Sequence, residues 1–305
     1  MRAAFSKTLA DIARADSRVL LLTGDHGYAL FDEFRKACPN QYINAGIAEQ
    51  NMIGVAAGLA RAGFRPYVYG LSAFVPIRVL EQIKIDLAHD SLPVVLIGDG
   101  AGFVYSHLGT SHQSTEDIAA TRALANLYVY SPADRHELTL CLELSAQATT
   151  TTYLRIGKAD RGDVHAGPVT ANIGDVLQVR QGGPELVFLA TGSMVRTAID
   201  IAERAYPEAA VWSAPFIKPI DEARVVEIAR QARMIVCLEE HSIHAGFGSL
   251  VTELVAEHAP TRVLRIGVRD RYSKACGTYD YLLQEHGLDA RAVTESIGQF
   301  MKPSR

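Results

Sequence analysis

Glu49 stands alone before a long uncharged run. It follows Ile43-Asn44-Ala45-Gly46-Ile47-Ala48, and no residue from Met52 to Ala60 is charged. As a structural group it would sit in the first turn of a buried helix, where the dipole favours negative charge and Asn44 or Gly46 supplies the cap. As a chemical group it would be a carboxylate in a dry place, with burial raising its pKa and sharpening its affinity for a proton. Other reactive side chains gather near expected strand ends: Asp25 and His26 in Gly24-Asp25-His26-Gly27-Tyr28, His107 and His112 in a polar loop, and Arg155. An imidazole titrates near neutrality and can move a proton or donate to a developing oxyanion. A guanidinium fork suits bidentate binding of phosphate, sulfonate or carboxylate. The structural alternatives are a solvated loop histidine at 112 and a surface salt bridge for the arginine at 155.

The elements that must position these groups alternate. Strands are expected at 18–23, 65–69, 93–97, 126–130 and 151–156, with helices near 3–14, 47–62, 75–89, 115–123 and 134–147. This rhythm predicts parallel strands covered on both faces, and ligands in such sheets lie beyond the carboxyl ends of the strands. The polar, glycine-rich stretch 157–167 opens a connector. A second α/β unit follows, with strands at 186–190, 210–213, 234–239 and 262–266 and helices near 194–206, 221–231, 247–258 and 278–286. The expected division is a first domain at 1–160, a connector at 161–180 and a second domain at 181–305.

The chain has 305 residues, 48% of them hydrophobic and 21% charged, with net charge -4. That suits two α/β domains with real cores. Acids and bases are mixed, and no basic stripe points to nucleic acid. Cys38, Cys141, Cys237 and Cys276 are far apart with no metal-binding spacing, which fits reduced thiols in the cytoplasm. The amphipathic, charged start is unlike a signal peptide, and no apolar run approaches the roughly 18 residues a membrane span needs. No GxGxxG follows the first strand, which argues against a nicotinamide site.

An ordered set of segments resembles the C-terminal half of transketolase. It comprises Gly46-Ile47-Ala48-Glu49-Gln50, Gly63-Phe64-Arg65-Pro66, Ser72-Ala73-Phe74, Glu81-Gln82-Ile83, Ser111-His112-Gln113, Ser131-Pro132-Ala133-Asp134, Thr191-Gly192-Ser193, Lys218-Pro219-Ile220-Asp221 and Glu239-Glu240-His241. The resemblance covers essentially the whole chain, and implies a pyrimidine-binding domain and a transketolase C-terminal domain, each with a mostly parallel sheet flanked by helices. It also implies thiamine diphosphate chemistry in the small subunit of a split enzyme. Glu49 then matches the carboxylate that hydrogen-bonds the cofactor's aminopyrimidine and favours the imino form that activates the thiazolium. Phe74 matches the aromatic that packs on that ring, Ile77 stands where a second aromatic is common, and Ile47 and Gln82 are further cofactor contacts. His112 matches a catalytic histidine at the sugar. Arg155 matches a phosphate-binding arginine, and Asp25, His26 and His107 are further substrate-side candidates. Arg2 aligns loosely with another anion-binding arginine.

Some positions depart from the family. Leu108 replaces an aspartate that reads sugar configuration, and Gly100 replaces a phosphate-contacting histidine. Gly98-Asp99-Gly100 followed by Asn126 imitates the family's magnesium signature, but Leu127 stands where the second asparagine belongs. Asp99 is therefore read as a strand-end residue, and no metal ligand is expected on this chain. The resemblance places Mg2+ and the diphosphate on an N-terminal partner subunit, in an α2β2 assembly that transfers a two-carbon ketol unit between sugars. The alternatives are the beta subunit of a 2-oxoacid dehydrogenase and a non-catalytic partner of the same fold.

Overall fold

The computed structural model describes residues 1–27, 29–158 and 161–302. Tyr28, Ala159, Asp160 and the last three residues, which the sequence pattern assigns to the first strand-end segment, the domain boundary and the second domain, lie outside them. The strands are β1 (Val19–Thr23), β2 (Tyr42–Asn44), β3 (Arg65–Leu71), β4 (Val95–Asp99), β5 (Leu127–Tyr130), β6 (Thr151–Ile156), β7 (Leu177–Arg180), β8 (Gly183–Ala190), β9 (Ala209–Ser213), β10 (Phe216–Lys218), β11 (Met234–Ser242) and β12 (Arg262–Val268). They form a seven-stranded sheet ordered β10-β5-β6-β4-β3-β1-β2 and a five-stranded sheet ordered β12-β11-β8-β9-β7. All pairings are parallel except β10 with β5 and β7 with β9. The continuous apolar runs follow from this: β1, β4 and β6 are buried at every position because helices cover both faces.

On one face of the large sheet, Phe5 and Leu9 of α1 (Arg2–Ala15) and Phe34 of α2 (Asp32–Ala37) pack with Leu138 and Cys141 of helix Arg135–Gln147. On the other face, Met52, Ile53, Ala56 and Ala57 of α3 (Glu49–Arg61) join a core that runs on into the second sheet through Ile217, Val187 and Ile235. The two units therefore share one continuous apolar core. The β10 strand strengthens the junction, because it comes from the second unit and closes the edge of the first sheet. No hydrophobic run announced it, since it is only three residues long. The expected helix at 75–89 resolves into a 3-10 turn (Ile77–Val79), one α-helical turn (Leu80–Gln82) and a π-helical stretch (Ile83–Ala88). A last helix, Ala290–Met301, lies beyond the elements expected from sequence and buries Val293 and Ile297.

Asp134 ties the connector to the first domain. One carboxylate oxygen caps helix Arg135–Gln147 by accepting from His136 N and Glu137 N, both at 2.9 Å. The other accepts from Val164 N and His165 N, also at 2.9 Å. Asp134→Ala should lower stability by about 2–3 kcal/mol, a lost cap plus stranded backbone donors. It should also speed proteolysis within the connector, as read by denaturant unfolding and limited digestion.

Glu239 gives a pH signature. It accepts from Phe247 N at 2.6 Å and Gly248 N at 2.9 Å, yet burial pushes its carboxyl up to about 7. A carboxyl whose pKa is raised on folding favours the folded state at low pH and loses that contribution as pH rises from about 4.5 to about 7. Nearby His241, pushed down to about 4 by burial, acts oppositely between about 4 and 6.5. Glu239→Gln should therefore gain stability relative to the parent as pH rises through that window, in melting curves recorded against pH.

Candidate functional site

Helix α3 begins at Glu49, and its buried face runs through Glu49, Met52, Ile53, Ala56, Ala57 and Ala60. This helical spacing places the carboxylate on the apolar stripe, which is why it is only 3% exposed. The cap expected from Asn44 or Gly46 is absent. Ala48 precedes the helix without a side-chain cap, and Asn44 Oδ1 accepts from Gly46 N at 2.9 Å instead. Glu49 Oε2 accepts from Arg78 Nη1 at 3.1 Å. Glu49 Oε1 lies 3.7 Å from His26 Nε2, and both atoms are buried without a hydrogen-bond partner. Burial pushes the Glu49 carboxyl upward, but its own backbone N–H, the Arg78 guanidinium and His26 outweigh burial and hold it below its ordinary value. In this chain by itself the expected upward shift is thus reversed.

Phe74 sits in the turn that follows β3, with its N–H bonded to Leu71 O at 2.8 Å. Its ring lies between two imidazoles: His26, tilted at 6.1 Å between centroids, and His112, edge-on at 5.4 Å. The Arg78 guanidinium lies 4.0 Å from the Phe74 ring centroid. His112 closes the short turn Thr110–His112, and its Nδ1 is 2.9 Å from Ser111 Oγ. Glu49, His26, Phe74 and His112 thus converge at the carboxyl end of the first sheet, from four separate parts of the chain. Gln82 is half-buried, and its Oε1 is buried without a partner. Asp25 is exposed, with Oδ1 accepting from Asn44 Nδ2 at 3.2 Å, and a cavity of about 80 Å³ opens beside it and His26. Ile47 is 74% exposed, Ile77 is partly buried at the head of the 3-10 turn, and His107 is exposed.

Arg155 requires a correction. It is 2% exposed, with Nε donating to Asp117 Oδ2 at 2.7 Å and Nη2 to Glu240 O at 2.8 Å. Tyr153 donates to the same Asp117 oxygen at 2.7 Å. Burial alone would lower the guanidinium pKa, but Asp117 and Tyr153 raise it. The side chain fastens β6 to β11 and to helix Asp117–Arg122, and is not an open fork for a substrate anion. Gly100 shows why no histidine stands there. Its φ is +83°, and a Cβ would come 2.0 Å from the Tyr105 ring. Asp99 ends β4 with Oδ2 accepting from Tyr69 at 2.8 Å and Tyr105 at 2.9 Å, and Arg2 lies 3.4 Å away. Among the described residues no group of three or more His, Cys, Asp or Glu is placed to hold a metal, and no helix is long and apolar enough to cross a membrane. Sequence reasoning passed over Arg78 and Asp117. The signal for Arg78 was its place four residues after Phe74, at the start of the expected helix 75–89.

Residues 1–161 match the transketolase pyrimidine-binding domain and residues 174–293 the transketolase C-terminal domain. The chain belongs to the transketolase family and carries these two domains. It is 30% identical to one of the subunits of the apulose-4-phosphate transketolase of Phocaeicola vulgatus, over 99% of this chain and 97% of that one. It is 30% identical to a 6-deoxy-6-sulfo-D-fructose transketolase subunit of a Clostridium species, over 97% and 92%. With 1-deoxy-D-xylulose-5-phosphate synthase of Neisseria gonorrhoeae it shares 36% identity, spanning 97% of this chain but 46% of that protein. A split-gene transketolase solved as an inactive β4 tetramer superposes with a TM-score of 0.91 at 31% identity, covering 100% and 99% of the two chains. Transketolase of Campylobacter jejuni shares the fold, with a TM-score of 0.77 at 16% identity over 98% of this chain and 46% of that one.

Arg155→Met would leave Asp117 buried beside no cation. It should cost about 3–5 kcal/mol of stability, measured by chemical denaturation.

Proposed function

We propose that this chain is the pyrimidine-binding subunit of a two-subunit, thiamine diphosphate-dependent transketolase that moves a two-carbon ketol unit from a ketose to an aldose. The observation that carries the reading is the unpartnered, buried Oε1 of Glu49, 3.7 Å from His26, whose imidazole in turn neighbours the Phe74 ring. A buried acceptor without a donor suits a ligand that brings one. The residues present therefore fit an aminopyrimidine: a carboxylate for its ring nitrogen, an aromatic face for its plane, and Gln82 Oε1 for a polar edge. Ile47 and Ile77 would contribute apolar wall. When bound, thiamine diphosphate supplies the nucleophilic carbon that carries the ketol unit.

Glu49 would hold a proton at the ring nitrogen, and exclusion of water from the completed site would strengthen that hold. His112, with Nδ1 beside Ser111, has Nε2 available to a sugar oxygen and can donate to it as negative charge develops. His26, Asp25 and His107 line the substrate side. Mg2+ and the diphosphate belong on an N-terminal partner subunit, in an α2β2 assembly working in the cytoplasm. Relatives of nearly the same length named as one subunit of a sugar transketolase support that partnership. They also favour sugars over the oxoacids of a 2-oxoacid dehydrogenase.

In the complex reconstituted with a diphosphate-binding subunit, Glu49→Gln should reduce turnover by about 10²–10⁴-fold, measured as ketol transfer between sugar phosphates. Unchanged turnover would instead favour the non-catalytic partner.

A further inference from the structure

We infer that Arg78 closes the Glu49 pocket in the free subunit and must leave it before an aminopyrimidine ring can bind. The inference rests on the cofactor reading of that pocket and adds a competitor for it. One guanidinium makes two contacts at once. Its Nη1 donates to Glu49 Oε2 at 3.1 Å, and its Cζ lies 4.0 Å from the Phe74 ring centroid. A planar cation with N–H donors on its edge thus meets the same face and the same carboxylate that a flat aminopyrimidine needs. His26 and His112 already flank the ring at 6.1 and 5.4 Å. A heterocycle stacking on the Arg78 side of Phe74 therefore has to displace the guanidinium.

The arrangement makes the pocket selective. Without Arg78, a carboxylate only 3% exposed would keep no cationic partner but His26, across a 3.7 Å gap. Leaving a buried charge unpaired is costly, so Arg78 supports the empty subunit. The guanidinium itself is displaceable, because its side chain is 45% exposed and its pairing is partly screened by water. Glu81, three positions on and exposed, offers the released side chain a carboxylate within helical reach. A ring bearing an edge donor replaces what Arg78 gives Glu49. A flat ring without one leaves the carboxylate stranded.

The test is binding of 4-amino-5-hydroxymethyl-2-methylpyrimidine to the isolated full chain, followed by calorimetry and by NMR. Arg78→Met should bind this probe about tenfold more tightly than the parent, and Arg78→Lys should fall between them. Raising salt should tighten binding to the parent, by screening the pair, and not to Arg78→Met. Equal or weaker binding by Arg78→Met, or no binding by any variant, overturns the gate. If Glu49→Gln loses the probe while Arg78→Met gains nothing, the gate alone falls and the cofactor reading stands. If Glu49→Gln binds as the parent does, the cofactor reading falls and the gate with it. Removing Arg78 leaves the buried Glu49 charge without its cation and should lower the melting temperature, so a single cooperative melt below the parent's should confirm that Arg78→Met is folded.

Discussion

A single carboxylate held on the apolar stripe of a helix organises this molecule. Glu49 lies in register with Met52, Ile53, Ala56 and Ala57, so the forces that bury α3 bury the carboxylate as well. One of its oxygens is bonded to Arg78, and the other is buried and unpartnered. A buried acceptor in that state costs stability unless a donor arrives. The fold tolerates it because the surrounding core is large and continuous, running from α3 across both sheets. Phe74, His26 and His112 are carried to the same place by strand ends of one parallel sheet, where chain reversals expose side chains to a common space.

The second unit contributes rigidity to that space. Arg155, Asp117 and Tyr153 form a buried cluster beneath the loop bearing His112, and Arg155 reaches across to the Glu240 carbonyl. Glu240 in turn accepts from Phe103 N at 2.6 Å and is bonded to Ser193 and Tyr279. The loop between β4 and helix Asp117–Arg122 is thereby pinned at its start and its end by polar contacts to the second unit. A charge network of this kind adds little net stability but fixes geometry, since breaking any partner strands the rest. His112 sits on a loop that the C-terminal unit holds in place.

Much of this was legible in the chain. The parallel strands showed as continuous apolar runs, and Glu49 stood out as a charge before a long uncharged stretch. Helix Phe247–His258 and strand Thr151–Ile156 fall where their patterns place them. The misreadings share a cause: they concern partners distant in sequence. A strand-end arginine looks the same in sequence whether free or paired, and Asp117 lies 38 residues from Arg155. The carboxyl of Glu49 was expected to rise because burial was visible in the pattern while Arg78, 29 residues away, was not. Strand β10 is too short to carry a periodic signal and exists only because the first sheet has an edge to offer. Tyr105 filling the space above Gly100 likewise depends on a loop path that no local pattern encodes.

What matters most is the direction in which the free oxygen of Glu49 faces once the site is complete. The most direct measurement is a crystal structure of this chain assembled with a diphosphate-binding subunit, Mg2+ and thiamine diphosphate. The expected result puts a Glu49 oxygen about 2.6–3.2 Å from the pyrimidine ring nitrogen, with the ring stacked on Phe74. A carboxylate turned to solvent, or a ring bound away from Phe74, would contradict it.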